Sequence, residues 1–467
     1  MKNNSEILNT QNKIKNNSKE FENYYQNTIK DLKKNKKLNA YLNLVENYQY
    51  ATDNPKSQLN KILYAVKDNI NVRDTITTGG SLFFENYKST YTATVVKLLD
   101  KAGAIPICKS NLDEFGLGGT GLFSAYGDVL NPFDETRIAG GSSSGSAVLV
   151  AKKLVTFALG TDTGDSIRMP ASFLGVYGYK PTYGLVSRFG VFPYSPSIDH
   201  VGVFANSVDD VAIVMDTINQ HDSNDFTSQD IKLDFLIELD KIDKKAKLVT
   251  LTNVVDLLGK EEKELFTNTL NKISKEFKIN EGSLSTDLIH LVPVVYEILS
   301  YSEAVSCYQN ITGIPFGKKG KGKTFEEKII DARTKNFGKE LKRRFVLGSF
   351  VTLKENEELL LKCKKIRRLI VDKVEELFKK YDYIIMPGAS SIAPKVSDVK
   401  NNKTKPSDVD NYLQIANFGG FPSLTIPMGK IKNMPIGINI MGKINSDNKL
   451  LALAKRIDSL IGDKNEK

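Results

Sequence analysis

Two glycine- and serine-rich segments enclose an apolar stretch, and this arrangement constrains the fold more than any other feature of the chain. The first segment runs from Gly140 to Ser146 and the second from Gly160 to Arg168. The apolar residues 147–151 and 155–159 between them predict a helix followed by a buried strand. Both segments are therefore expected at one edge of a sheet, where α/β proteins place ligands in a crevice. Small residues there let hydroxyl groups and backbone N–H groups come close to a reacting carbonyl group.

The length and composition of the chain indicate the size of its core and its cellular compartment. With 467 residues, 40% of them hydrophobic, the chain can bury a large core. No stretch approaches the ~18 uninterrupted apolar residues of a membrane span, and the polar residues 1–5 do not lead into a secretory signal. The spacing of Cys108, Cys307 and Cys363 matches neither a disulfide framework nor a metal site. We therefore expect a cytoplasmic protein that has no membrane contact and binds no metal.

The net charge of +10 comes from lysines spread along the chain, as in residues 30–37, rather than from one arginine-rich stripe. Nucleic-acid-binding surfaces usually concentrate basic residues on one face, with aromatic residues among them. The distribution in this chain therefore favours a solvated basic surface over direct nucleic-acid binding.

Short apolar runs alternate with helical patterns, which predicts one large α/β domain over residues 61–467. The apolar residues of segment 92–102 recur at helical spacing. The runs that predict strands of this domain are 62–66, 103–107, 155–159, 383–387 and 422–427. Because the last two lie far from the first three, distant parts of the chain must complete one sheet.

Two regions are expected to depart from this alternation. Residues 1–60 predict an N-terminal polar tail that is loose up to residue 20, followed by a helical segment and a short strand near residues 38–42. Residues 222–290 are charged and weakly patterned. We predict that they form a helical elaboration of the domain and not a separate unit.

Few side chains near the two glycine- and serine-rich segments can accept a proton. The three histidines, His200, His221 and His290, lie far from both segments in the sequence. Lys67 ends an apolar strand, and desolvation lowers the pKa of a buried lysine, so it can serve as a base near neutral pH. The alternative is a surface lysine paired with the neighbouring Asp68.

Lys67 and the two segments resemble the motifs of the amidase signature family in order and spacing. The resemblance continues through residues 169–172, 175–184 and 187–190; it is close over residues 61–215 and looser elsewhere. It implies one α/β domain with a mixed sheet surrounded by helices, and a Ser–Ser–Lys triad. By this resemblance Ser166 is the nucleophile, Ser142 the bridging serine, which follows a cis peptide bond, and Lys67 the base.

The residue types fit amide chemistry. A serine hydroxyl becomes a good nucleophile when its proton has an acceptor, and Ser142 can pass that proton on to neutral Lys67. Attack on an amide creates an oxyanion, which adjacent backbone N–H groups stabilise. The sequence thus predicts an oxyanion hole formed by the N–H groups of Thr163, Gly164, Asp165 and Ser166.

Within the family, several stretches resemble the glutaminase subunits of tRNA-dependent amidotransferases. These stretches are residues 93–96, 101–104, 109–115, 300–304, 342–348 and 417–422. The resemblance implies a complex with amidotransferase B and C subunits, in which this chain uses glutamine and binds no cofactor. ATP, Mg²⁺ and Glu-tRNA(Gln) would then belong mainly to the B subunit.

A pocket for free glutamine needs one fixed cation for the α-carboxylate and one fixed anion for the α-ammonium. Arg344, or its neighbour Arg343, and Asp410 are the matching candidates, and Tyr296 is a candidate for the pocket wall. The alternative for each charged residue is an ordinary surface charge.

The chain also departs from the family pattern. Asp165 stands where a glycine usually precedes the nucleophile, and its carboxylate could favour protonated Lys67. Ser144 replaces another usual glycine, and the loop Gly119–Phe123 differs from the usual sequence in a region that shapes the substrate pocket. These differences leave two alternatives open: a stand-alone amidase of the same family, and a catalytically inactive scaffold.

Overall fold

The two glycine- and serine-rich segments are positioned by three parallel strands at the centre of the fold. The computed structural model describes residues 5–15, 17–401 and 412–462. Strand β2 (Leu63–Lys67) is buried along its whole length and lies between β3 (Ile105–Ser110) and β4 (Phe157–Asp162). Because these strands are parallel, their carboxyl ends meet at the same edge of the sheet. Lys67 is therefore delivered to the edge where β4 ends at Asp162.

The described residues form one mixed sheet of eleven strands, surrounded by helices, which confirms the predicted fold class. The spatial order is β1-β3-β2-β4-β6-β5-β10-β11-β9-β7-β8. Its other strands are β1 (Tyr41–Leu44), β5 (Tyr177–Lys180), β6 (His200–Ala205), β7 (Leu248–Leu251), β8 (Ile279–Gly282), β9 (Tyr383–Pro387), β10 (Ser423–Ile431) and β11 (Met434–Gly442).

The α-helices that surround this sheet are α1 (Glu6–Ile14), α2 (Ser18–Lys34), α3 (Thr94–Lys101), α4 (Ser144–Ala151), α5 (Arg168–Leu174), α6 (Val208–Ile218), α7 (Phe235–Glu238), α8 (Thr252–Val255), α9 (Lys260–Ile273), α10 (Thr286–Tyr308), α11 (Phe325–Asn336), α12 (Lys339–Thr352), α13 (Glu357–Phe378), α14 (Val396–Lys400), α15 (Ile415–Phe418) and α16 (Asp447–Ile461). Helix α4 packs on β4, and α5 packs on β5, β10 and β11. The strands and helices predicted near residues 62–66, 92–102, 155–159, 383–387 and 422–427 are present.

The start of the chain is more ordered than the sequence indicates. Residues 5–15 and 17–20 were expected to be loose, but α1 is a helix whose Ile7 and Ile14 are buried, and α2 begins at Ser18. The Asp210 carboxylate accepts hydrogen bonds from the Ser5 hydroxyl and the Ile7 N–H group. The prediction was wrong there because two apolar residues in a polar segment suffice when a distant carboxylate caps the helix.

The segment 222–290 is not purely helical. It contains α9 near the predicted position, but also β7 and β8, which pair in parallel and extend the sheet beyond β9. The prediction of a helical elaboration was therefore wrong for these strands. Their four residues each are too few to produce a readable alternation of apolar and polar side chains.

Helix α10 is long and apolar enough to cross a membrane by length and composition alone. It packs against α12 and α13, and its Glu303 accepts hydrogen bonds from the Ser195 hydroxyl and the Ser197 N–H group. These contacts place α10 in the helical layer beside the sheet.

Candidate active site

Lys67 lies completely buried at the end of β2, and its ammonium group faces three hydroxyl groups. Its Nζ atom lies 2.8 Å from the Oγ atoms of Ser142 and Ser143 and 2.8 Å from Thr161 Oγ1. Burial lowers the pKa of Lys67 to about 7, although the nearby carboxylates Asp113, Asp162 and Asp199 oppose this shift. A lysine with this pKa exists in both protonation states near neutral pH.

Asp68 is not the partner of Lys67. It lies 3.0 Å from Lys109, and both of these side chains are fully buried. The Thr78 hydroxyl and N–H groups also donate to the Asp68 carboxylate. The alternative of a surface ion pair between Lys67 and Asp68 is therefore wrong, because Lys67 is buried and Asp68 pairs with Lys109.

Ser142 lies in the loop before α4 and is buried. The peptide bond between Gly141 and Ser142 is cis, as the family resemblance implies. The Asp113 N–H group donates to the Ser142 carbonyl oxygen, and the Asp113 carboxylate accepts from the N–H groups of Gly121 and Phe123. The loop 119–123, which departs from the family sequence, is thus wrapped around the carboxylate of Asp113, directly beside Ser142.

Ser166 lies in the turn between β4 and α5. The N–H group of Ser143 donates to the carbonyl oxygen of Ser166 at 3.3 Å, so the two glycine- and serine-rich segments are in contact. This contact follows from the topology, because one segment begins α4 and the other follows the neighbouring β4. The structure thereby brings Lys67, Ser142 and Ser166 into one region, as the motifs predict.

A buried ion pair between Arg168 and Asp162 stabilises the turn 163–166. Arg168 Nη2 and Nε donate to the two carboxylate oxygens of Asp162 at 3.0 Å each, and Asn417 Nδ2 donates to the same carboxylate. Burial by itself raises the pKa of Asp162, but Arg168 and Asn417 outweigh that effect and lower it below its usual value. The pair therefore stays ionised and fixes the base of the turn.

Arg168 also orients the peptide groups of the turn. Its Nη2 atom lies 2.6 Å from the Gly164 carbonyl oxygen. In a planar trans peptide the C=O and N–H groups point in opposite directions, so the Asp165 N–H points away from Arg168. The predicted oxyanion hole of Thr163, Gly164, Asp165 and Ser166 therefore has one N–H group directed by a charged hydrogen bond.

Tyr296 lies against this turn. A Cβ atom added to Gly164 would lie 2.8 Å from the Tyr296 ring, which explains the need for glycine there. The structure therefore brings together Tyr296, from α10, and the candidate nucleophile turn, although more than a hundred residues separate them.

Arg344 points inward from α12, whereas Arg343 points outward. Arg344 Nη1 donates to the Tyr194 hydroxyl at 2.8 Å, and Nε donates to Glu340 at 2.8 Å. Arg343 is half exposed and binds the same Glu340. Of the two candidates, only Arg344 reaches the Tyr194 side of the site.

Asp410 and Asp165 are the two carboxylates that were predicted to act at the site. Asp410 lies outside the described residues. The carboxylates that most strongly favour protonated Lys67 are Asp113, Asp162 and Asp199, so the predicted effect of Asp165 on Lys67 is not among the main ones.

A cavity of about 430 Å³ opens beside the turn. Its wall includes Thr163 of the predicted oxyanion hole, and also Thr161, Tyr194 and Asp199. No pattern in the sequence marks the last two of these as functional residues. The only available signal was their place near the ends of apolar runs, which is shared by many residues without a function.

The chain belongs to the amidase family, since the family model described as Amidase matches residues 23–451. Two curated relatives are the A subunits of the glutamyl-tRNA(Gln) amidotransferases of Mycoplasma genitalium and Mycoplasma pneumoniae. The first is 44% identical, and the match covers 91% of this chain and 92% of that relative. The second is 43% identical over 87% of each chain.

A solved structure gives the same result. The crystal structure of the glutamyl-tRNA(Gln) amidotransferase A subunit from Thermotoga maritima matches this chain with a TM-score of 0.83 and 31% identity. The match covers 98% of this chain and 95% of that one. These comparisons confirm the predicted family and the predicted similarity to the glutaminase subunits of tRNA-dependent amidotransferases.

Proposed function

We propose that this chain is the glutaminase component of a glutamyl-tRNA(Gln) amidotransferase and that it releases ammonia from glutamine through an acyl-enzyme on Ser166. The observation that carries this proposal is the fully buried Lys67, with a pKa of about 7 and a hydrogen bond to Ser142. The family and the names of the relatives support the same assignment.

The hydroxyl groups around Lys67 support a proton relay to this residue. A neutral amine has one lone pair, so one of its three hydroxyl partners must donate to it. Ser143 uses its proton for the Thr161 carbonyl oxygen at 2.9 Å. We propose that Ser142, the bridging serine of the family resemblance, donates to Lys67 and accepts the proton of Ser166.

In the proposed reaction, Ser166 Oγ forms a bond to the amide carbon of glutamine while its proton passes through Ser142 to Lys67. The carbonyl π bond becomes the oxyanion, which the N–H groups of the turn stabilise. When the oxyanion collapses, the C–N bond breaks and the nitrogen takes the proton back from Lys67 through Ser142. Ammonia leaves, and water then cleaves the acyl-enzyme by the same route to release glutamate.

We propose that substrate recognition mainly uses side chains of α10 and α12. Arg344 is held by Glu340 and Tyr194, and so its guanidinium is preorganised to bind the α-carboxylate of glutamine. Tyr296 would line the pocket, and Asp410 would bind the α-ammonium. The charges of Arg344 and Asp410 would match the two charged groups of a free amino acid, whereas a fatty amide has no charged group to bind them.

The remaining parts of the reaction are proposed to lie in partner subunits. The B subunit would bind ATP, Mg²⁺ and Glu-tRNA(Gln) and would use the released ammonia, and a small C subunit would complete a cytoplasmic heterotrimer. The chain itself would need no cofactor.

Labelling with a fluorophosphonate probe tests the proposed nucleophile in the full chain. We expect stoichiometric modification of Ser166 in the wild type and none in Ser166→Ala. An unlabelled wild type would support an inactive scaffold. Activity on simple amides but not on glutamine, with no copurifying partner chain, would support a stand-alone amidase.

A further inference from the structure

A carboxylate outside the predicted triad connects the two sides of the site. Asp199 lies just before β6, whose first residue pairs with Asp162 at the end of β4. Its Oδ1 atom accepts a hydrogen bond from the Thr163 hydroxyl at 2.6 Å. Its Oδ2 atom accepts from the N–H groups of Tyr194 and Ser195 at 2.7 and 2.9 Å. The side chain also forms part of the cavity wall.

These three contacts join separate functional elements. Thr163 begins the turn that ends at the candidate nucleophile. The Tyr194 hydroxyl contacts both Arg344 and Ser300 Oγ, the latter at 3.0 Å. A displacement of Asp199 would therefore affect both the oxyanion side and the Arg344 side of the site.

The contacts also indicate the charge of Asp199. Backbone N–H groups can only donate, and the Thr163 hydroxyl completes a set of three donors around the carboxylate. Burial raises the pKa of Asp199 above its usual value, although the hydrogen bonds from Thr163, Tyr194 and Ser195 oppose this rise. We conclude that Asp199 is ionised when the site is assembled, because an ionised carboxylate satisfies all three donors.

We propose that Asp199 is a positioning residue that anchors the turn 163–166 to the Tyr194 segment and presents a negative charge to Lys67. This inference rests on the proposed function. Other ionised groups face the same region. Lys67 is also faced by Asp113 and by the Asp162–Arg168 pair, while Arg188 lies near Asp199.

Two substitutions separate the charge of Asp199 from its anchoring contacts. In Asp199→Asn the side-chain oxygen can still accept from the two N–H groups, and the amide can donate to Thr163 Oγ1. The contacts survive while the charge is lost. Thr163→Val does the opposite, because it removes the hydroxyl anchor and leaves the charge.

The readout is the pH dependence of fluorophosphonate labelling at Ser166 in the full chain, which reports neutral Lys67. For Asp199→Asn we expect the midpoint to fall by about one pH unit, because loss of a nearby negative charge disfavours the ammonium form. For Thr163→Val we expect the wild-type midpoint and a maximal labelling rate reduced at least about tenfold, because the turn loses its anchor.

Glu303→Gln is the matched control. Glu303 holds the same segment through Ser195 and Ser197, but it is not among the carboxylates that chiefly favour protonated Lys67. We expect its midpoint to equal that of the wild type. An unchanged midpoint in Asp199→Asn, or an unchanged rate in Thr163→Val, would overturn the proposal. Failure of the proposed function itself would look different: the wild type would show no labelling at Ser166.

Discussion

The sheet side and the helical side of the site are built in different ways. On the sheet side, Lys67, Ser142 and Ser166 lie at or beside the ends of neighbouring elements, and their backbones are held by buried main-chain hydrogen bonds. On the helical side, Tyr296 and Arg344 project from α10 and α12, and the position of the Arg344 guanidinium depends on its side-chain contacts with Glu340 and Tyr194. The surface of α12 also exposes Val346 and Phe350.

This difference suggests a division of labour. The sheet side supplies chemistry that every amide substrate needs, and a rigid backbone network suits it. Under the proposed function, the helical side would recognise the α-carboxylate of glutamine, and side chains on helices can change without disturbing the relay. If the two sides are separable, substitutions on each side should change different kinetic parameters.

Loss of the relay should have the largest effect. We expect Ser166→Ala and Lys67→Ala each to lower glutamine-dependent turnover by about 10⁴-fold or more, and the double variant to lose little further, because the residues act as one unit. Turnover is measured as glutamate release in the assembled complex. Near-normal turnover in Ser166→Ala would contradict the assignment of the nucleophile.

Loss of the buried ion pair between Arg168 and Asp162 should have the next largest effect. Arg168→Met leaves Asp162 as an uncompensated buried charge, which costs about 3–5 kcal/mol of unfolding free energy. Among the folded molecules, turnover should fall about 10²-fold because the Gly164 carbonyl loses its partner. Denaturant unfolding and turnover are measured on the same sample. An unchanged free energy of unfolding would show that the pair does not hold the turn.

Substitutions on the helical side should change the KM for glutamine and not the chemical step. Arg344→Gln should raise the KM for glutamine by about 30-fold or more, since a ligand carboxylate loses its partner at a cost of about 2–5 kcal/mol. Amidation with ammonia as nitrogen donor should be spared, because ammonia bypasses this pocket. Arg343→Gln is the control and should leave the KM nearly unchanged. Asp410→Asn should behave like Arg344→Gln, and equal losses with both nitrogen donors would indicate damaged assembly instead.

The smallest effect concerns Asp165. Activity should rise with pH through a midpoint of about 7, because Lys67 must be neutral to accept a proton and its folded-state pKa is lowered to that value. Asp165→Gly should move this midpoint by only about 0.3 pH unit or less, since other carboxylates dominate the field at Lys67. A pH–rate profile of kcat/KM measures it. A shift as large as that expected for Asp199→Asn would show that Asp165 faces the relay.

The sequence predicted the sheet side of the site well. Its residues occur in short local motifs, and the alternation of apolar strands with glycine- and serine-rich turns places Lys67, Ser142 and Ser166 at one sheet edge. The apolar strand that ends in Lys67 made this residue a candidate base, and the resemblance to the amidase signature family assigned it that role. Local composition and chain direction were sufficient to predict their common position, whereas their roles came from the family resemblance.

Only the tertiary structure decided the rest. Asp68 binds Lys109 and leaves Lys67 to three hydroxyl groups, which depends on strand register. Arg344 rather than Arg343 points inward because α12 is rotated that way against α10. Asp199 meets Thr163 because antiparallel β6 begins where β4 ends. Contacts of this kind join residues that no local pattern connects. The sequence specifies chemistry residue by residue, whereas the distances between residues arise only when the sheet and its helices pack together.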